Sequence, residues 1–189
     1  MKKNRNTRPQ KEMKPVFLVF CEGETEEAYI NLLKKQYRLP IKVISEITGM
    51  SISPDYLQHY IQTEQLDGND KITSFLMYDL DVKGIAERIA TCKDSISIAS
   101  NPAIELWFLL HIREHNAAIA TKNCIALLMK SDSVWASYKK GALSEKQKQQ
   151  LWDKRESASN RAKRLPEGQN PSSSVFRLIE AMKGIKSHG

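Results

Sequence analysis

At 189 residues, with 41% hydrophobic and 27% charged side chains, the chain has the make-up of a globular protein large enough to bury a core. No apolar run approaches the about 18 residues that a bilayer span requires, and no apolar signal core follows the basic start at Met1–Arg5, so neither membrane insertion nor export is expected. Three scattered cysteines, Cys21, Cys92 and Cys124, suggest neither a disulfide framework nor a cysteine zinc site, and a reducing, cytoplasmic setting is the default expectation.

The net charge of +7 is unevenly spread. Residues 1–14 carry six Lys/Arg and one acid, residues 15–138 carry eleven and sixteen, and residues 139–189 carry twelve and five. An acidic centre between basic ends suits a polyphosphate partner such as nucleic acid; the plainer use of lysine-rich ends is solubility.

Residues 1–14 are polar and aperiodic and are expected to be a disordered basic tail. A strand buried on both faces is expected over 16–21, then a helix over 24–37 with Tyr29, Leu32, Leu33 and Tyr37 at helical spacing. Glu24 or Thr25 can cap that helix, and Leu39-Pro40 ends it. A less apolar strand over 41–47, nearer the sheet edge, precedes a loop around Gly49 and a helix over 54–66. Asp67-Gly68-Asn69-Asp70 marks a turn. A third strand covers 72–78, a short helix 82–91 and a fourth strand 95–99. Ser100-Asn101-Pro102 then starts a very apolar helix over 103–114. From 117 onward only helices are expected, over 121–130, 144–164 and 171–184, with 131–141 as the loosest connection.

Strands alternating with helices argue for a mostly parallel four-stranded α/β sheet with right-handed crossovers. The chain divides into a tail (1–14), an α/β core (15–116) and a helical C-terminal extension (117–189).

Two strands end in acids. Glu22 follows the first beside Gly23, and Asp79-Leu80-Asp81 follows the third, with alternation turning both aspartates to one side. Ligands of open α/β sheets bind outside the carboxyl ends of strands, so Glu22, Asp79 and Asp81 are candidate ligands for Mg²⁺ or Mn²⁺.

The stretches Cys-Glu-Gly-Glu-Thr-Glu (21–26), Asp-Leu-Asp (79–81), Ser-Asn-Pro-Ala-Ile-Glu-Leu-Trp-Phe-Leu-Leu-His (100–111) and Asn-Pro-Ser-Ser-Ser-Val-Phe (170–176) resemble the RloB-like family, found with bacterial restriction and abortive-infection systems. The resemblance covers nearly all of the chain after the tail. It implies a Toprim-like core, in which one Glu after the first strand and an Asp-x-Asp after the third bind metal; these fall on Glu22, Asp79 and Asp81. A second acid in the same helix start, as in the OLD nucleases, falls on Glu26. Where some Toprim proteins carry a third acid after the pair, this chain has Lys83, which argues against a topoisomerase and against a full two-metal site.

Other uses stand beside these. Glu22 can bond backbone amides at its strand end, Asp81 can cap the following helix, and Glu24 and Glu26 can serve as first-turn acids; Asp79 has no such ready use. Glu105, in an apolar helix, needs a partner, either Ser100 or Asn101 at the helix start or the metal site itself. His111 is either a general acid/base or, as a histidine at a helix end, a cap or a hydrogen-bonder in the core. Lys83, Arg161, Lys163 and Arg164 are candidates to steady phosphate charge, the last three being equally a solvated face.

The favoured reading is a metal-dependent nuclease of bacterial defence cutting DNA or RNA. The chain lacks a Gly-x-x-x-x-Gly-Lys-Ser/Thr loop, so any ATPase would be a separate partner, which the family's setting suggests. The alternatives are a nucleic-acid or protein-binding module without turnover, and a phosphotransferase using Asp-x-Asp. The latter usually needs a threonine or similar soon after the pair, which Val82-Lys83-Gly84 does not supply.

Overall fold

The computed structural model describes residues 15–45, 51–63 and 71–186. The expected tail 1–14, the far end of the second strand with the Gly49 loop, the last turn of the second helix and the turn at 67–70 lie outside the described residues. In chain order the first elements are β1 (Pro15–Cys21), α1 (Glu24–Tyr37), β2 (Ile41–Ile44), α2 (Pro54–Thr63), β3 (Lys71–Met77), α3 (Ile85–Thr91) and β4 (Ser95–Ser97). The four strands form one parallel sheet in the order β2-β1-β3-β4.

The apolar runs explain the sheet. Alternate residues of a strand face opposite ways. Phe17, Val19 and Cys21 of β1, with Phe75 and Met77 of β3, join α1 in one core. Leu18, Phe20, Leu76 and Tyr78 face the other way and pack with Leu57 of α2 and Ile85 and Ile89 of α3. Burying each large apolar side chain contributes about 1.5–3 kcal/mol, which makes the central strand pair the stable part of the fold.

The second half continues as β5 (Ser100–Asn101), α4 (Ile104–Ile112), α5 (Thr121–Ser131), a 3-10 turn at Ser133–Trp135, α6 (Glu145–Asp153), α7 (Arg155–Ala162), β6 (Ser172–Ser173) and α8 (Phe176–Lys186). Apolar almost all round, α4 is buried from Ile104 to His111, as such a helix must be. It packs against α5, α6 and α7. Leu178, Ile179 and Met182 of α8 join the same core.

Three expectations are corrected here. The segment 117–189 is not all helix: β6 pairs antiparallel with β5, Ser100 opposite Ser173 and Asn101 opposite Ser172. Helix α8 therefore starts at Phe176 rather than 171, since Ser172 and Ser173 are held extended by their pairing with β5. The single helix expected over 144–164 is two, bent at Lys154, where Arg155 Nη1 donates to the Trp152 carbonyl at 2.6 Å and its guanidinium stacks 3.8 Å from the Trp152 ring. The segment 131–141 is not loose: Trp135 is fully buried, stacked 5.4 Å from Phe108, and Tyr138 is buried beside it. Smaller differences are that α3 starts at Ile85 rather than 82, and that β4 ends at Ser97. Beyond β4 the ladder continues through Ile98 N to Leu76 O (2.9 Å) and Ser100 N to Tyr78 O (3.1 Å). No helix among the described residues is long and apolar enough to cross a membrane.

Candidate functional site

Strands β1 and β3 are parallel neighbours with Cys21 level with Met77. The chain therefore leaves both at the same edge, Glu22 directly after β1 and Asp79 two residues after Met77. Glu22, Glu26, Asp79 and Asp81 all line one open cleft of about 360 Å³, together with Lys140 and Gly141. Glu22 and Asp81 are exposed, Asp79 is half-buried, and Glu26 is buried.

Helix α1 starts at Glu24 with Gly23 as its N-cap, and no side chain caps it. Thr25, expected as a cap, instead accepts a hydrogen bond from Gly141 N at 2.8 Å. The Gly23 backbone is ordinarily extended (φ −113). A Cβ there would meet Oε2 of Glu26, whose carboxylate folds back over the glycine and would have to shift.

The aspartates exchange the roles their local setting suggests. Asp79 Oδ1 accepts from Ile104 N at 2.8 Å and so holds the start of α4. Asp81 does not cap α3, which begins after Gly84; its Oδ2 accepts from Thr121 Oγ1 at the start of α5.

Glu105 is fully buried. Its Oε1 accepts from Tyr138 Oη at 2.9 Å and lies 3.6 Å from Lys140 Nζ, and its Oε2 has no hydrogen-bond partner among the described residues. The expected partners are elsewhere: Ser100 Oγ bonds Ser173 Oγ at 2.9 Å, and Asn101 Nδ2 donates to Gly168 O at 3.0 Å. Those two residues fasten β5 and its neighbours and do not line the cleft.

Glu26, Asp79 and Glu105 form one electrostatic neighbourhood. Burial pushes Asp79 up to about 8, helped by the Glu26 and Glu105 charges; the Ile104 hydrogen bond and Lys140 pull the other way. Glu26 is also raised, first by burial and then by Glu105, against its own backbone hydrogen bond and Lys140. Among the described residues, no three His, Cys, Asp or Glu side chains are already arranged to hold a metal ion.

His111 does not line the cleft. It is buried on α4, donating from Nδ1 to Trp107 O at 2.8 Å with its ring edge-on to Trp107 at 4.8 Å. Burial pushes its pKa down to about 4, aided by the Arg161 and Lys154 charges. A histidine held neutral in the fold but protonated below about 6.5 when unfolded contributes stability that is full above that pH and is lost as the pH falls towards 4. The full effect is about 3 kcal/mol. Urea unfolding of His111→Gln between pH 7 and 4 should show a shallower acid loss than wild type; equal slopes would rule out His111 as the source.

Lys83 is exposed in the turn after Asp81 and does not line the cleft, whereas Lys140 does. The other expected cations are engaged apart from it: Arg161 Nη1 donates to Leu110 O (2.6 Å), Lys163 pairs with Glu180 (2.5 Å) and Arg164 with Glu114 (2.6 Å). Lys140 went unseen because nothing local links it to strand ends more than fifty residues upstream. The signal available was Lys139-Lys140-Gly141, whose glycine turns at φ +78.

No curated protein and no solved structure matches the chain. A family model described as RloB-like protein matches residues 17–182, spanning the sheet, the cleft carboxylates, Lys140 and most of α8. By that match the chain belongs to the RloB-like protein family.

Proposed function

We propose that the chain is a metal-dependent phosphodiesterase acting on nucleic acid, DNA or RNA, built on a Toprim-like centre and serving bacterial defence. The observation that carries the reading is the convergence of Glu22, Glu26, Asp79 and Asp81 on one cleft at the carboxyl ends of two adjacent parallel strands. All four offer oxygen, the donor that Mg²⁺ and Mn²⁺ take. The crowding of Glu26 and Asp79, each raised by burial and by neighbouring acids, fits a site completed by a divalent cation. When bound, such an ion polarises a phosphodiester oxygen and makes water a better nucleophile.

The chain's own residues do the rest. Glu22, Glu26, Asp79 and Asp81 would hold the ion. Lys140, 3.6 Å from Glu105, lines the same cleft, where its ammonium can steady charge on the phosphate oxygens. Lys140, rather than Lys83, fills that part. Family membership fits the defence setting, in which any ATPase would be a separate partner.

One observation favours a second reading, a binding module without turnover: Asp79 and Asp81 each commit an oxygen to the fold, through Ile104 and Thr121. Incubating the purified protein with plasmid, single-stranded DNA and tRNA in Mg²⁺, Mn²⁺ or EDTA separates the two. Metal-dependent cutting should appear and should fall at least 100-fold in both Glu22→Ala and Asp79→Ala. Binding without cutting supports the module, and equal cutting by the variants exposes a contaminant.

A further inference from the structure

A second groove opens beside the carboxylate cleft, and the two share Gly141. It runs between α1 and α6 and encloses about 470 Å³. Ala28, Leu32 and Leu143 give it an apolar floor, while Lys35 of α1 and Lys148 of α6 stand along it. Glu145 lies between them: Lys148 Nζ is 2.7 Å from its carboxylate, and Lys35 also acts on it electrostatically. The segment that builds this side, 139–154, carries five lysines against Glu145 and Asp153.

A polyanion meets a difficulty at the cleft, which is lined by Glu22, Glu24, Glu26, Asp79 and Asp81. Carboxylates repel phosphates, so the flanking nucleotides need cations close by. The C-terminal cluster does not supply them, since Arg161, Lys163 and Arg164 lie apart from the cleft and line other grooves. The α1/α6 groove adjoins the cleft, sets Lys35 and Lys148 where they can meet a phosphate backbone, and offers an aliphatic floor rather than a stacking platform to the bases. We propose that this groove carries a single strand of nucleic acid into the carboxylate cleft. The proposal rests on the phosphodiesterase reading for its destination, but its binding step needs no metal.

The test measures fluorescence anisotropy of labelled DNA and RNA strands of about 12 nucleotides, and of the matching duplex, in EDTA across a salt series. Wild type should bind the strands more tightly than the duplex. The double substitution Lys35→Gln/Lys148→Gln should weaken strand binding about tenfold and lower the salt slope by about 1.4, at about 0.7 for each phosphate no longer neutralised. Glu145→Gln should tighten binding several-fold, because it removes a repulsive charge and frees Lys148; a merely structural groove would not respond in this direction. If the lysine double variant fails to fold by circular dichroism, the Glu145 substitution decides alone. Unchanged binding in these variants, equal binding of duplex and strand, or loss in Lys163→Gln/Arg164→Gln instead would each overturn the groove. Thermal shift with Mg²⁺ keeps the two readings apart. A protein that takes the strand but not the metal overturns the phosphodiesterase alone, and one that takes metal but not strand overturns the groove alone.

Discussion

Asp79→Asn will make the metal-free protein more stable while abolishing the Mg²⁺ response and the cleavage proposed for the wild type. Asp79 is half-buried and shares its surroundings with Glu26 and Glu105, and burial disfavours its ionised form, so that folding costs it either a proton taken up or a charge left poorly solvated. Asparagine keeps an oxygen to accept the Ile104 N–H and removes only the ionisable group. Relief from desolvation and like-charge repulsion should contribute about 1–2 kcal/mol, raising the melting temperature in EDTA by about 3–6 °C for a chain of this size. In the wild type, Mg²⁺ should raise the melting temperature with concentration, since anything that binds only the folded state stabilises it. The Asn variant should show no such rise.

Asp79→Ala provides the contrast. It removes the same ionisable group but also the acceptor at the start of α4, leaving Ile104 N without its partner. Losing an acceptor there costs about 1 kcal/mol, offsetting much of the gain. The two substitutions should thus differ in stability and agree in lost function. If Asp79→Asn destabilises the protein, or still responds to Mg²⁺, Asp79 is a helix-holding residue and nothing more.

This double use of Asp79 shows what the amino-acid order reveals and what it hides. The run Phe17–Cys21 reads as a buried strand because every residue is apolar, and Tyr29, Leu32, Leu33 and Tyr37 mark α1 because their spacing is helical; both are local properties. Acids at two strand ends are equally visible. Their meeting depends on β1 and β3 being neighbours in register, which no local pattern specifies. The helix-holding bond of Asp79 spans 25 residues and the Asp81–Thr121 bond spans 40, so the plain use of each aspartate could not be read from its neighbours. The same holds for β5 and β6, whose paired serines are 73 residues apart, and for Lys140, which reaches the cleft only because Glu105 and Tyr138 place its loop there. Ser172 and Ser173 carry no strand propensity of their own; the partner strand imposes the conformation.

Trp135→Ala should be the most damaging substitution outside the sheet. Trp135 lies in a segment whose polar, turn-rich composition suggests a loose connection, yet it is completely buried. Its ring stacks on Phe108 of α4 at 5.4 Å and leans on Tyr138 at 5.6 Å, and its Nε1 donates to Gln150 Oε1 of α6 at 2.5 Å. Truncation leaves a cavity among aromatic rings and takes the hydrogen bond as well, a loss of about 3–5 kcal/mol. Urea unfolding should register that loss, whereas Trp135→Phe, which keeps an aromatic ring, should lose about 1–2 kcal/mol. The consequence reaches the site. Trp135 anchors the loop that puts Tyr138 and Lys140 on Glu105 and Gly141 on Thr25. At a temperature where the alanine variant is still folded, cleavage should therefore fall more than the Mg²⁺-induced thermal shift, because the carboxylates stay on strand ends while the Lys140 loop loosens. A loss below about 1 kcal/mol in Trp135→Ala would mean that 131–141 is the loose connection its composition suggests, and would remove the physical basis for placing Lys140 at the cleft.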